Sequence, residues 1–177
     1  WSSDVCSSDL TKDNIGYIAL NTFNEHSAEG VKKALLEFKA NPAVKAVVLD
    51  LCGNGGGLAH EAIKILGFFL PKGTEVLTTK GRTTKDYRVY KTSEQPIMPD
   101  MPLAVLIDGG SASASEITAG ALQDLDRAVI IGGRSYGKGL VQTTRPLPFN
   151  SLLKLTIAKY YIPSGRLIQE IDYSHRN

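Results

Sequence analysis

The sequence predicts an α/β fold on three observations. Short aliphatic runs alternate with segments whose apolar residues recur at helical spacing, the junctions carry glycine, proline or asparagine, and 177 residues at 42% hydrophobic content suffice for one domain with a sizeable core. Residues 14–20 read as the first strand. Ser27 opens a helix whose Val31, Leu35 and Phe38 share one face, and Asn41-Pro42 stops it. A strand at 44–50 precedes a helix with Leu58, Ala62, Ile65 and Phe69, which Pro71 ends. Two alternating runs, 74–79 and 87–91, are expected to pair as a hairpin through the polar stretch 80–86. Then come a strand at 102–107, a helix carrying Ile117, Ala121 and Leu125, a strand at 127–131, and a long strand-like run at 151–162 closed by a turn at 163–166. No internal repeat or low-complexity segment interrupts this order.

The first ten residues, Trp-Ser-Ser-Asp-Val-Cys-Ser-Ser-Asp-Leu, have no periodicity, and are expected to be a foreign stretch outside the fold. Cys6 goes with them, which leaves Cys52 as the only cysteine expected to be native. Two cysteines make no disulfide framework, and His26, His60 and His175 have no metal-ligand spacing, so neither a metal nor a cofactor is expected. Lys+Arg 20 against Asp+Glu 18 gives a net charge of +2, too slight an excess to argue for nucleic acid or an anionic membrane. His60 and Glu61 are expected on the exposed face of their helix rather than in a triad.

Chemistry is concentrated in two segments, Gly109-Gly110-Ser111-Ala112-Ser113-Ala114-Ser115-Glu116-Ile117 and Ser135-Tyr136-Gly137-Lys138-Gly139-Leu140-Val141-Gln142. A serine hydroxyl becomes a nucleophile when a neighbouring base takes its proton, and a lysine serves as that base when it is uncharged. Burial achieves this by disfavouring the ammonium. Glycines on both sides of Lys138 let the backbone enter a crowded, apolar place. Ser113 falls between a strand and a helix, where free backbone N–H groups and the positive end of the helix dipole can hold an oxyanion. The same tetrapeptide, Ser113-Ala-Ser-Glu116, is also a capping box, with Ser113 bonding a backbone amide and Glu116 reaching back. A third segment, Asp50-Leu51-Cys52-Gly53-Asn54-Gly55-Gly56-Gly57, follows a buried-strand run and can point main-chain amides into a cavity, or be an ordinary strand-to-helix turn.

The first two segments, in this order, closely resemble the C-terminal processing peptidases, or tail-specific proteases. The resemblance makes Ser113 the nucleophile, Lys138 the general base 25 positions later, and Gln142 the residue that orients the lysine. It places one oxyanion-hole amide at Gly56, with neighbouring Gly57 left open, and the second at Ala114. Cys52 stands where the family usually has arginine. Asp124 falls where family members often carry an acidic residue, and is expected on the helix surface. The implied fold is the ClpP/crotonase-like superhelix of β-β-α units. The implied activity is serine endopeptidase cleavage of polypeptides near apolar C-terminal tails, in an extracytoplasmic compartment. The resemblance spans 11–177 and omits the family's PDZ module and later strands, so the chain is expected to be a partial catalytic domain.

The sequence also bears on two other functions. Gly132-Gly133-Arg134-Ser135-Tyr136-Gly137-Lys138 matches the opening of a phosphate-binding P-loop, but Gly139 stands where Ser/Thr would hold magnesium. A catalytically silent domain of the same fold could bind an extended peptide at a strand edge.

Overall fold

The computed structural model describes residues 6–170. The described residues form two sheets, three α-helices and one short 3-10 turn. The first sheet has the order β1-β2-β3-β6-β7, from β1 (Cys6–Leu10), β2 (Ile15–Leu20), β3 (Ala46–Asp50), β6 (Leu103–Ile107) and β7 (Val129–Gly132). Its strands run parallel except β1, which pairs antiparallel with β2. The second sheet is antiparallel, in the order β5-β4-β9-β8, from β4 (Glu75–Gly81), β5 (Arg88–Lys91), β8 (Leu140–Leu147) and β9 (Ser151–Tyr161). The helices are α1 (Ser27–Ala40), α2 (Ala59–Gly67) and α3 (Ala114–Asp124).

Parallel strands need helical crossovers, and the sequence supplies α1 between β2 and β3 and α3 between β6 and β7. Each helix buries the stripe its spacing predicts: Val31, Ala34, Leu35 and Phe38 on α1, Ala62, Ile65 and Leu66 on α2, and Ile117, Ala121 and Leu122 on α3. Opposite them, Ile18, Leu20, Val47, Leu49 and Val105 are buried along the strands. The Phe38 ring occupies the place where a side chain on Gly16 would stand.

The expectation that residues 1–10 lie outside the fold is corrected for 6–10. Backbone pairing to β2 needs an extended chain and no particular side chains, and Ser7–Leu10 remain exposed at this sheet edge. Residues 1–5 and 171–177, the latter including His175, are outside the described residues. The 74–79 and 87–91 hairpin forms, with a short 3-10 turn over Thr84–Asp86 inside its connection. Strand β8 was not anticipated. It pairs with β9 through a tight turn in which Phe149 and Asn150 both adopt positive φ.

Glu61 is a second correction. It is buried at 1% exposure, accepting the Ala28 N–H at the start of α1 and the Lys64 ammonium. The first turn of α1 has amides without partners inside the helix, and a carboxylate from α2 meets one of them. Burial alone would raise the Glu61 pKa, but the bonds from Lys64 and Ala28 outweigh it and hold the carboxyl below its ordinary range.

Candidate active site

Strands β3 and β6 are neighbours in parallel register, so the loops leaving their C-terminal ends lie side by side. That crevice is where open parallel sheets commonly place ligands. After β3 comes the glycine loop 51–57, and after β6 the turn that leads to Ser113. Cross-bonds fasten the two: Gly53 N–H to Asp108 Oδ1 at 2.8 Å, Ser111 Oγ to the Leu51 carbonyl at 2.8 Å, and Ala112 N–H and Ser115 Oγ to the Asn54 carbonyl at 3.0 and 2.8 Å. Ser111, Ser115 and Asn54 are all buried, so three of the small polar residues in these segments serve as fasteners.

Ser113 is the residue before α3, with φ 55° and ψ −112°. A positive φ is uncommon for a residue with a side chain and persists where surrounding contacts over-determine it. The neighbouring glycine loop contributes to that constraint: a Cβ on Gly56 would lie 2.8 Å from Ser113 Cβ, 2.6 Å from the Ala112 carbonyl oxygen and 2.9 Å from Ala114 N. Gly56 has φ 96° and Gly57 φ 141°. The loop therefore reaches the serine and the first amide of α3 through backbone alone, as expected for an oxyanion site.

The loop distributes its amides differently from the sequence-based assignment. Gly56 N–H is donated to Asn54 Oδ1 at 2.9 Å, within its own loop, and the Gly56 carbonyl accepts from Phe23 N–H. Leu58 N–H is donated to the Phe23 carbonyl, which leaves Gly57 N–H outside this bridge. The donor role assigned to Gly56 is thus taken up within the loop, because Asn54, fully buried, turns its amide oxygen toward that N–H. Ala114 N–H opens α3, in the first turn, where amides have no partner inside the helix.

Glu116 does more than cap. Its carboxylate, 6% exposed, accepts Ser113 N–H at 2.8 Å and Lys138 N–H at 2.8 Å on Oε2, and Ser135 Oγ at 2.8 Å and Gly137 N–H at 2.6 Å on Oε1. Tyr136 N–H adds a bond to the Ser111 carbonyl at 2.9 Å. Capping chemistry predicted the Ser113 bond. The other three join segments 19 to 22 residues apart, which no local pattern reveals.

Lys138 is brought to the same end of the molecule by these bonds, but its side chain is exposed, so the burial that the flanking glycines permit is not realised. The flanking glycines explain why. Gly139 is buried with its backbone against Ile168 and Gln169, and Gly137 packs against Glu170, so the segment docks through its main chain and its lysine projects outward. Lys138 Nζ makes no hydrogen bond or ion pair with any of the described residues. Gln142 lies on β8 just beyond a register shift between Val141 and Gln142, and its amide N–H donates to Thr156 Oγ1 at 3.5 Å across the hairpin.

Asp124 is the opposite of a solvated surface residue. Its side chain is 5% exposed and accepts Ser164 N–H and the Arg166 guanidinium, tying α3 to the turn after β9. Burial would raise its pKa, but these bonds outweigh it and hold the carboxyl below the ordinary range. Cys52 is exposed beside Asp50, which accepts Cys52 N–H at 2.8 Å and the Tyr17 hydroxyl. Partial desolvation, then Asp50 and Asp108, push the Cys52 thiol up to about 11. The hydrogen bond to Asp50 pushes Tyr17 up to about 12. The P-loop reading fails here, since Lys138 leads into strand β8 where a phosphate loop requires a helix.

The profile of peptidase family S41 matches residues 14–174. The chain belongs to this family. A carboxy-terminal-processing protease of Bartonella bacilliformis is 45% identical over 161 residues, covering 89% of this chain and 37% of that protein. Among solved structures, the photosystem II D1 C-terminal processing protease superposes with a TM-score of 0.83 at 30% identity, over 94% of this chain and 46% of that one. Mature CPAF, solved in complex with lactacystin, shares the fold at a TM-score of 0.71 and 17% identity, over 94% of this chain and 48% of that one. The chain thus spans less than half the length of these relatives. Its α/β fold is that of the S41 peptidases, as the resemblance implied.

Proposed function

We propose that this chain is the catalytic part of a serine endopeptidase that cleaves polypeptides near their C-terminal ends with Ser113 as nucleophile and Lys138 as base. The observation that carries this reading is the constrained Ser113 at the start of α3, flush against a glycine loop and tied through Glu116 to the backbone of Lys138. Peptide binding over the site displaces water from around the exposed lysine, and neutral Nζ takes the Ser113 proton as Oγ attacks the scissile carbonyl carbon. The carbonyl oxygen, gaining the negative charge, is held by the N–H groups of Ala114 and Gly57. The lysine returns the proton to the leaving amine as the peptide bond breaks, and water then cleaves the acyl ester by the same route. Gln142 joins this arrangement by turning from Thr156 toward the lysine when substrate is bound.

A cleft of about 420 Å³ between α2 and the second sheet supports the preference for apolar tails. Ile63, Leu77, Val141 and Tyr160 line it, together with Lys85, Arg88 and the carboxylate of Asp86, which interacts with Arg88. Among the described residues, no helix is long and apolar enough to cross a membrane. We place the protein in an extracytoplasmic compartment on its family resemblance.

The test is labelling of the full parent chain with a fluorophosphonate, which esterifies an activated serine. Modification mapped to Ser113, and lost when Lys138 is replaced by alanine, is the expected result. A folded parent chain that binds peptides but leaves Ser113 unlabelled would favour the silent peptide-binding reading, for which the solvated lysine already speaks.

A further inference from the structure

We infer that Glu116 is a positioning residue for the reaction, setting the place of the lysine-bearing segment relative to the nucleophile through a four-donor carboxylate clamp. The inference rests on the serine–lysine reading above. Ser113 and Lys138 lie on separate parts of the fold, one before α3 and the other in the segment that leads into β8. One carboxylate binds the backbone amides of both residues on the same oxygen, Oε2, at 2.8 Å each. Its other oxygen takes Gly137 N–H and the Ser135 hydroxyl. The position of the lysine's main chain is thereby measured from the nucleophile's own helix, three residues from the serine.

The chemistry of the partners explains why a carboxylate is needed. Three of the four are backbone N–H groups, which can only donate, and an ionised carboxylate is acceptor-only at both oxygens. A glutamine has one accepting end. Turned one way, its NH₂ faces Ser113 N–H and Lys138 N–H; turned the other way, it faces Gly137 N–H, and Ser135 alone can reverse its bond to accept. Either orientation leaves at least one anchor of the lysine segment unpaired in a buried place, where an unmet donor is costly. The charge suits its position as well, since a carboxylate in the first turn of α3 lies at the positive end of the helix dipole.

The clamp fixes backbone and leaves the lysine side chain free, as its exposure shows. Loss of the clamp should therefore reduce the frequency of productive serine–lysine encounters more than substrate binding, whose cleft is lined by other residues. The test compares the full parent chain with Glu116→Gln, Glu116→Asp and Ser135→Ala on an unstructured polypeptide substrate, with amide hydrogen exchange measured alongside. Glu116→Gln should lower kcat about tenfold to a hundredfold with KM little changed, the size expected for loss of charge-assisted bonds. Exchange of the Gly137 and Lys138 amides should quicken by a similar factor while the interior amides of α3 stay protected. Glu116→Asp, which keeps the charge but shortens the reach, should recover part of kcat. Should Glu116→Gln fail to fold, Ser135→Ala decides: it removes one donor and should lower kcat a few fold at constant KM. Unchanged kcat in Glu116→Gln, or unchanged kcat in Ser135→Ala where Glu116→Gln does not fold, would overturn the role of Glu116. So would slowed turnover accompanied by loss of protection throughout α3, which denotes a generally loosened fold. An unsubstituted parent chain that never cleaves would instead overturn the serine–lysine reading.

Discussion

Ser113 is half-buried, and the elements that carry it are well packed: Val47, Leu49, Val105 and Ile117 are fully buried, and the serine's own turn is bonded to the β3 loop at several points. The β8–β9 hairpin beyond Lys138 is different. Leu147, Leu152, Leu153, Leu155 and Ile157 are exposed along it, and Phe149 at its tip is 99% exposed. Ser113, the proposed nucleophile, is thus held by a core, whereas Lys138, the proposed base, and Gln142 sit where a thinly covered hairpin begins. The two proposed halves of the site are joined by the main-chain N–H groups of 136–138, which bond to the Ser111 carbonyl and the Glu116 carboxylate.

The largest effect that would break this contrast comes from the packed side. Gly56→Val places a side chain against the Ala112 carbonyl and Ser113 at a residue with φ 96°. Turnover should vanish, and urea unfolding should show a loss of about 1–3 kcal/mol from overpacking alone. Full activity in that variant would mean that the glycine loop does not abut the serine.

Asp124→Asn probes the tie between α3 and the turn after β9, with an expected loss of about 1 kcal/mol at pH 7, since its Arg166 partner is partly exposed. The folded carboxyl lies below its ordinary range, so its contribution is present above the unfolded pKa of about 3.9 and is lost as pH falls through the folded value. Stability curves of the two proteins should converge once the pH has fallen below the lowered pKa of the folded carboxyl. Parallel curves across the whole range would show that the charge contributes nothing.

A smaller effect concerns Cys52, exposed yet pushed up to about 11. Alkylation by iodoacetamide at pH 8 should run at least about tenfold slower than for an unperturbed thiol, because the thiolate is the reacting form. Asp50→Asn should speed it. The smallest effect belongs to the hairpin tip, where Phe149→Ser should move unfolding by less than about 0.5 kcal/mol, measured by melting. A larger loss would show that the hairpin is packed against something in solution.

Elements whose signal is local were legible in the sequence. Helical spacing located α1, α2 and α3, and the threonine-rich alternation located the β4–β5 hairpin. Strand β8 escaped because Pro146 and Arg145 break its apolar pattern and its pairing is visible only against β9; the Phe149-Asn150 turn was the available signal. The segments bearing Ser113 and Lys138 were legible as motifs, and the structure brings their backbones together. Glu61, Glu116 and Asp124 were misjudged or read in part for one reason. Each carboxylate finds partners on a distant element, and sequence spacing carries no record of such bonds. The glycines beside Lys138 permit burial of the segment without deciding it, and in the structure they admit the backbone and leave the side chain outside.

The most direct test is turnover of an unstructured polypeptide with an apolar C-terminal tail by the full parent chain, beside Ser113→Ala, Lys138→Ala and the double variant. The account predicts cleavage by the unsubstituted protein and a loss of several orders of magnitude in either single variant, with no further loss in the double, because a nucleophile and its base act as one unit. Cleavage that survives Lys138→Ala, or losses that multiply in the double variant, would contradict it.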